Sequence, residues 1–213
     1  MKFLDRNEAG SLLAQELIKK EIKNPVVVAI PRGGIPVSAP IAFALDAPLR
    51  LSMTRKIGHP YYEEFAIGAV SLDKFLVSQQ QVEKKYIEEA IEKERRRIRE
   101  MIRIFDHEIK EEDIKGKTVL LVDDGIATGK TVQLAAEEIK QMNPLKILVC
   151  VPVCSIPAFG ILEKEVDEII ALRIPSSFSG IGAYYHNFNQ LTDNEVIGIL
   201  RKQKNTVPQE NIS

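Results

Sequence analysis

The sequence predicts an α/β domain built on a mainly parallel, twisted sheet flanked by helices, with a small cap. Three observations carry that expectation. Short apolar runs rich in branched side chains, PVVVAI (25–30), TVLLV (118–122) and KILVCVPV (146–153), read as strands buried on both faces. Helical stretches separate them, which is the alternation of parallel βαβ units. Two of the strands run straight into glycine-containing turns, Pro31-Arg32-Gly33-Gly34 and Asp123-Asp124-Gly125, and then into a helix. We read one domain, with its core over about residues 24–172 and its cap from 1–23 and 173–205.

Each element follows from local pattern. Asp5-Arg-Asn-Glu8 has the form of a capping box, with Ala9, Leu12, Leu13 and Leu17 as the apolar face of a helix to about Ile22. The strand 25–30 leads to a helix over 35–45 and a second strand over 49–53, LRLSM. AIGAVSLDKFLVS predicts a hairpin turning near Asp73. Residues 80–109 predict a long helix whose stripe of Ile87, Ile91, Ile98, Ile102, Phe105 and Ile109 is interrupted by Glu94. Its basic cluster Arg95-Arg96-Arg97 reads as a solvated face with i,i+4 ion pairs, in preference to a nucleic-acid or dimer surface. After Gly116 come the strand KTVLLVDD, a helix over 130–142, the strand 146–153, the helix PAFGILEKE and the strand DEIIAL, and the tail KNTVPQENIS is polar.

Composition narrows the class. The 213 residues are 45% apolar and carry a formal net charge of −1, so a core forms without staples and bulk charge favours neither nucleic acid nor anionic membrane. The start, MKFLDRNEAG, lacks the layout of a signal peptide, and no run of about 18 apolar residues occurs, which makes the cytoplasm the expected location. Cys150 and Cys154, four apart on a predicted strand, are expected to face the same side as small core residues.

VLLVDDGIATGKT (119–131) carries the most chemistry. An apolar strand, a glycine loop and a helix start aim backbone N–H groups at an anion. Only three residues separate Gly125 from Gly129, where a nucleotide-triphosphate loop requires four, and the position one earlier is Asp124. A carboxylate about 4 Å from a phosphate is repelled by about 4 kcal/mol at an effective dielectric near 20. Carboxylates suit hydroxyls instead, so a ligand with a phosphate at one end and a vicinal diol beside it satisfies both halves of the loop. A ribose 5-phosphate is such a ligand.

This stretch resembles the phosphoribosyl-pyrophosphate (PRPP) signature of the type I phosphoribosyltransferases. With FLDRNEAG, PRGGIPV, RKIGHP, AIGAV and YYHNFNQLTDNEV, the chain is similar over most of its length to a subgroup of predicted phosphoribosyltransferases with a Pro-Arg-Gly-Gly loop. The resemblance implies that Asp123 and Asp124 address the ribose 2′- and 3′-hydroxyls and Mg²⁺, the latter through water. It implies that Gly125, Ala127, Thr128, Gly129, Lys130 and Thr131 hold the ribose and 5′-phosphate. Arg32, Gly33, Gly34, Arg55 and Lys56 are implied to grip pyrophosphate, with an unusual peptide near Arg32–Gly33. Arg32, Lys56, Asp123 and Asp124 form the implied catalytic set.

Two departures stand out: Tyr62-Glu63-Glu64 replaces the subgroup's Asn-Pro-Glu, and Ala127 stands where 6-oxopurine enzymes carry an acid. His59 reads either as an exposed loop residue or as a catalytic group in a mobile loop. The aromatic set Phe178, Tyr184, Tyr185 and Phe188 reads either as a stacking platform for an acceptor base or as the cap's own small core. The implied reaction transfers ribose 5-phosphate from PRPP to a nitrogenous acceptor with loss of pyrophosphate, in a homodimer. A PRPP-binding regulatory protein is the alternative.

Overall fold

The computed structural model describes residues 2–62, 65–78 and 82–204. Glu63–Glu64, the expected helix start at 80–81 and the polar tail from 205 lie outside the described residues. In chain order the elements are α1 (Arg6–Ile18), β1 (Pro25–Ala29), α2 (Gly34–Ala44), β2 (Leu49–Leu51), β3 (Arg55–Gly58), β4 (Ala66–Val70), β5 (Phe75–Val77), α3 (Lys84–Phe105), α4 (Glu111–Ile114), β6 (Thr118–Val122), α5 (Lys130–Lys140), β7 (Lys146–Val153), α6 (Ile156–Leu162), β8 (Glu168–Arg173) and α7 (Asp193–Lys204).

Five strands form one parallel sheet in the order β2-β1-β6-β7-β8. Alternate residues of each strand enter opposite cores, which is why the runs are apolar throughout. Val27, Ala29, Leu120 and Val122 meet Leu13 and Leu17 of α1, Ile35 and Ile41 of α2, Ile98 of α3 and Val196 of α7. Val26, Val28, Val119 and Leu121 meet Val132 and Ile139 of α5 and Leu162 of α6 on the other face. Among the described residues no helix is long and apolar enough to cross a membrane.

Strand order reverses between β1 and β6: from β1 the chain goes outward to β2, and from β6 it goes the other way to β7 and β8. Loops leaving the carboxyl ends of two such strands splay apart and open a crevice, the usual ligand position in an open α/β sheet. Here they are the Pro31–Gly33 and Asp123–Gly129 loops. A second, antiparallel sheet β3-β4-β5 contains the expected hairpin and packs Ile57, Ile67 and Val70 against Ile91 of α3.

Several local expectations need correction. Asp5 caps α1 by accepting from the Glu8 N–H at 2.9 Å, but Glu8 reaches back to Leu4 rather than Asp5. Arg55–Gly58, outside every strand the sequence predicts, forms one because β4 offers it an antiparallel partner. The long helix stops at Phe105, where Asp106 turns left-handed with φ 48°, and residues 107–109 continue along β2 instead. Cys150 and Cys154 are both buried but enter opposite cores, because β7 ends at Val153 and Cys154 belongs to the following turn.

Candidate active site

Beyond Val122 the chain leaves the sheet, and β7 clamps the loop that follows. The Ile126 N–H donates to the Val153 carbonyl at 2.8 Å, and the Ser155 N–H to the Ile126 carbonyl at 2.9 Å. The Ser155 hydroxyl donates to the Ala127 carbonyl at 2.6 Å. Gly129 then turns with φ 77°, a conformation costly for other residues, and α5 begins at Lys130. Thr128 to Thr131 thus line a cleft of about 790 Å³ at the helix's positive end.

The acid pair forms the floor of this cleft. One oxygen of Asp123 accepts the Asp124 N–H at 2.8 Å. Burial, and then the charge of Asp124, push the Asp123 carboxyl well above the usual carboxylate range. Asp124, 7% exposed, is also raised by burial, against the pull of Arg6. The Arg6 Nε donates to Asp124 Oδ2 at 2.8 Å and its Nη1 to the Asn189 carbonyl at 2.9 Å, while its guanidinium lies 3.8 Å over the Phe188 ring.

The first glycine loop lies directly on this floor. A Cβ on Gly33 would stand 2.0 Å from Asp124 Oδ2, and one on Gly34 would stand 2.6 Å from the Val122 carbonyl oxygen. Gly33 has φ −61°, so close approach and not a left-handed backbone excludes a side chain there. The peptide between Pro31 and Arg32 is cis, one bond ahead of the expected position. Arg32 lines the cleft, with Nη2 2.7 Å from Asp193 Oδ1 at the start of α7.

The opposite wall is cationic. Arg55 and Lys56 reach it from β3 and Arg97 from α3. Glu94, nearly buried, accepts from the Arg55 Nε and, at 2.6 Å, from the Arg97 Nη1. Arg97 is therefore a cleft residue and not part of a purely solvated face. Its neighbour Arg95 turns back to the Ser71 carbonyl and Glu92. Charge in the expected basic cluster is thus largely spent within the fold.

Residues 6–174 match the profile of the phosphoribosyl transferase domain. The chain belongs to the type I phosphoribosyltransferase family. A Mycobacterium tuberculosis protein, named provisionally as a phosphoribosyl transferase in two strains, is 33% identical over 204 residues. That alignment takes in 93% of this chain and 46% of the relative, so the chain spans about half the length of the curated relatives it matches. The crystal structure of TT1426 from Thermus thermophilus is 34% identical and superposes with a TM-score of 0.75 over 95% of this chain and 99% of that one. AQ2163 from Aquifex aeolicus, 17% identical with a TM-score of 0.50 over 78% of this chain and 73% of its own, shares the fold.

Against this phosphoribosyltransferase frame, the structure brings Arg32, Gly33, Arg55, Lys56, Asp123, Asp124, Gly125, Ala127, Thr128, Gly129, Lys130 and Thr131 to one cleft. Gly34 supports it from behind, against Val122. The aromatic set is different. Tyr185, 2% exposed, stacks on Phe188 at 4.9 Å, lies beside Phe3, and donates its hydroxyl to the Asp124 carbonyl at 2.6 Å. Burial and the Asp124 charge raise its pKa further. Phe178 rests against Tyr184 at 5.6 Å, and neither these two nor Tyr185 lines the cleft. The acceptor trio expected from the sequence is therefore absent from the cleft lining: burial against Phe3 draws Tyr185 inward, while half-buried Phe178 and Tyr184 pack on each other.

Ile181, Phe188, Gln190 and Leu191 face the cleft in their place. His59 packs among Tyr61, Tyr62 and Phe65 in the β3–β4 turn and is not a lining residue. Sequence reasoning missed Arg6, Glu94 and Arg97 as site residues. One signal was available for Glu94: an acid on an apolar helix stripe needs a cation to be buried.

Proposed function

We propose that this domain is a phosphoribosyltransferase that moves ribose 5-phosphate from PRPP to a nitrogenous small-molecule acceptor and releases pyrophosphate. One observation carries the reading. The acid pair, the Thr128–Thr131 phosphate loop and the Arg55–Lys56–Arg97 wall share a single cleft, which suits a ligand with a phosphate, a diol and a diphosphate in sequence. Thr128 to Thr131 hold the 5′-phosphate through hydroxyls, backbone amides and the α5 terminus. Asp123 accepts from the ribose hydroxyls. Arg32, Gly33, Arg55, Lys56 and Arg97 receive the negative charge that grows on pyrophosphate as the C1′–oxygen bond breaks. The acceptor enters beside Ile181, Phe188 and Gln190, under a cap drawn from the described residues 2–23 and 173–204. No dedicated base is invoked, since an acceptor already deprotonated at neutral pH attacks C1′ directly.

The donors fit Mg²⁺. Magnesium keeps much of its water and takes one or two carboxylates plus substrate oxygens. Asp123 and Asp124 are such a pair, and the burial and mutual repulsion that raise Asp123 mark a place where added positive charge is favourable. Held by these two carboxylates, Mg²⁺ would supply positive charge to offset the negative charge that develops on a departing diphosphate.

Calorimetry with Mg·PRPP and with Mg·ATP tests the reading, followed by pyrophosphate release from PRPP in the presence of pooled nucleobases. Binding of PRPP without ATP, and acceptor-dependent pyrophosphate, are expected. ATP binding in the absence of PRPP binding overturns it. Tight PRPP binding with no turnover for any acceptor replaces the enzyme with a PRPP-binding regulator.

A further inference from the structure

Glu94 interrupts the apolar stripe of α3 at a junction. One turn before it Ile91 packs on the β3-β4-β5 sheet, and one turn after it Ile98 enters the main core. Only 10% of the Glu94 side chain is exposed, and it is not a lining residue of the cleft. Each of its oxygens holds a different arginine. Oε2 accepts from the Arg55 Nε of β3, and Oε1 accepts from the Arg97 Nη1 at 2.6 Å. The Arg55 Nη1 also reaches the Met101 sulfur at 3.5 Å. Residues 94, 97 and 101 share one face of α3, so Arg55 lies along two turns of the helix with Arg97 beside it. Both arginines line the cleft, while the acid that holds them stays behind.

We propose that Glu94 is a positioning residue that holds Arg55 and Arg97 as one preformed clamp for a diphosphate, which makes α3 part of the active-site wall. An arginine carries more donors than these contacts use, so both keep N–H groups for ligand oxygens. Long side chains lose rotamer freedom when they grip an anion, and here that loss is met on folding instead of on binding. Charge alone would argue against an acid at this place, because a carboxylate behind the wall weakens its pull on an anion. What Glu94 contributes is geometry.

This inference takes its diphosphate from the transferase reading, and the test separates the two. Glu100, also on α3, is the matched control: it lines the same cleft, is exposed, and makes no ion pair among the described residues. Glu94→Gln and Glu100→Gln each remove one negative charge from this wall, but only the first frees arginines, since an amide oxygen serves one of them and its NH₂ opposes the other. In calorimetry with magnesium pyrophosphate, Glu100→Gln should bind as tightly as the wild type or more tightly. Glu94→Gln should bind roughly 3- to 30-fold more weakly, because two arginines must be ordered again. Ribose 5-phosphate, which carries no diphosphate, should bind both variants as it binds the wild type. The proposal is overturned if Glu94→Gln holds pyrophosphate as well as Glu100→Gln does, if it loses ribose 5-phosphate to the same extent, or if the wild type binds no pyrophosphate. Should the wild type bind pyrophosphate with the expected Glu94→Gln loss but never PRPP, the transferase reading falls and the clamp stands. Should PRPP bind while Glu94→Gln leaves pyrophosphate affinity unchanged, the clamp falls and that reading stands. If Glu94→Gln does not fold, Arg97→Gln decides: it should lose pyrophosphate affinity by a similar factor and keep ribose 5-phosphate, and unchanged pyrophosphate affinity overturns the proposal.

Discussion

Gly33→Ala puts the contact between the first glycine loop and the acid pair under direct strain. Its methyl would stand 2.0 Å from Asp124 Oδ2 and 2.5 Å from Cγ. Ordinary carbon–oxygen contact needs about 3.4 Å or more, so one partner must retreat by roughly 1.4 Å. Asp124 cannot move freely, because Arg6 holds its carboxylate and Tyr185 its carbonyl. If the loop yields, overpacking costs about 1–3 kcal/mol. If the Arg6–Asp124 pair opens, the loss of a buried ion pair costs about 3–5 kcal/mol. A net loss of about 2–3 kcal/mol lowers the melting temperature by roughly 4–12 °C for a chain of this size. Urea denaturation of wild type, Gly33→Ala, Asp124→Ala and the double variant closes a thermodynamic cycle. Asp124→Ala removes the atoms that clash, so in its background Gly33→Ala should cost less than about 1 kcal/mol. The same loss in both backgrounds would refute the steric argument and place the sensitivity elsewhere in the loop.

Asp123→Asn should stabilise the protein. The Asp123 carboxyl holds its proton more tightly when folded, so ionisation costs the folded chain stability as pH rises above the ordinary carboxylate range. The gain in melting temperature should vanish below about pH 4, where the acid is neutral in both states, and grow as pH rises above it; a pH-independent gain would contradict the assignment. Glu94→Gln withdraws the charge shared by Arg55 and Arg97, and because both arginines reach solvent the loss should be only about 1–2 kcal/mol by urea denaturation. No change would make the bridge incidental. Tyr185→Phe deletes the hydrogen bond to the Asp124 carbonyl and should cost about 0.5–1.5 kcal/mol, with a stabilised variant refuting that role. Gly198→Ala, in α7 with nothing within 4 Å of the new methyl, should raise stability by about 0.5–1 kcal/mol; a loss would show an unseen steric demand.

Most strands and helices were legible locally, because apolar periodicity depends only on neighbours along the chain. KILVCVPV is β7 residue for residue, and Lys130 opens α5. The misses share a cause. Arg55–Gly58 becomes a strand through β4, not through its own composition. Cys154 changes core because a strand ends one residue before it. Tyr185 turns inward because Phe3, far away in sequence, closes over it. Glu94 was visible as an anomaly in its stripe, but only the fold reveals that it joins Arg55 to Arg97.

By itself, the sequence determined an alternating α/β order, two glycine loops after strands, and an acid pair next to a phosphate-holding turn. These are properties of short segments, written in periodicity and residue type. Tertiary structure alone decided that β1 and β6 are neighbours, so that the two loops share one crevice. It also decided that Arg6, 118 residues from Asp124, is the cation that holds it. Charge and contact act through space, and the spacing of residues along a chain does not record which distant guanidinium will arrive beside a buried carboxylate.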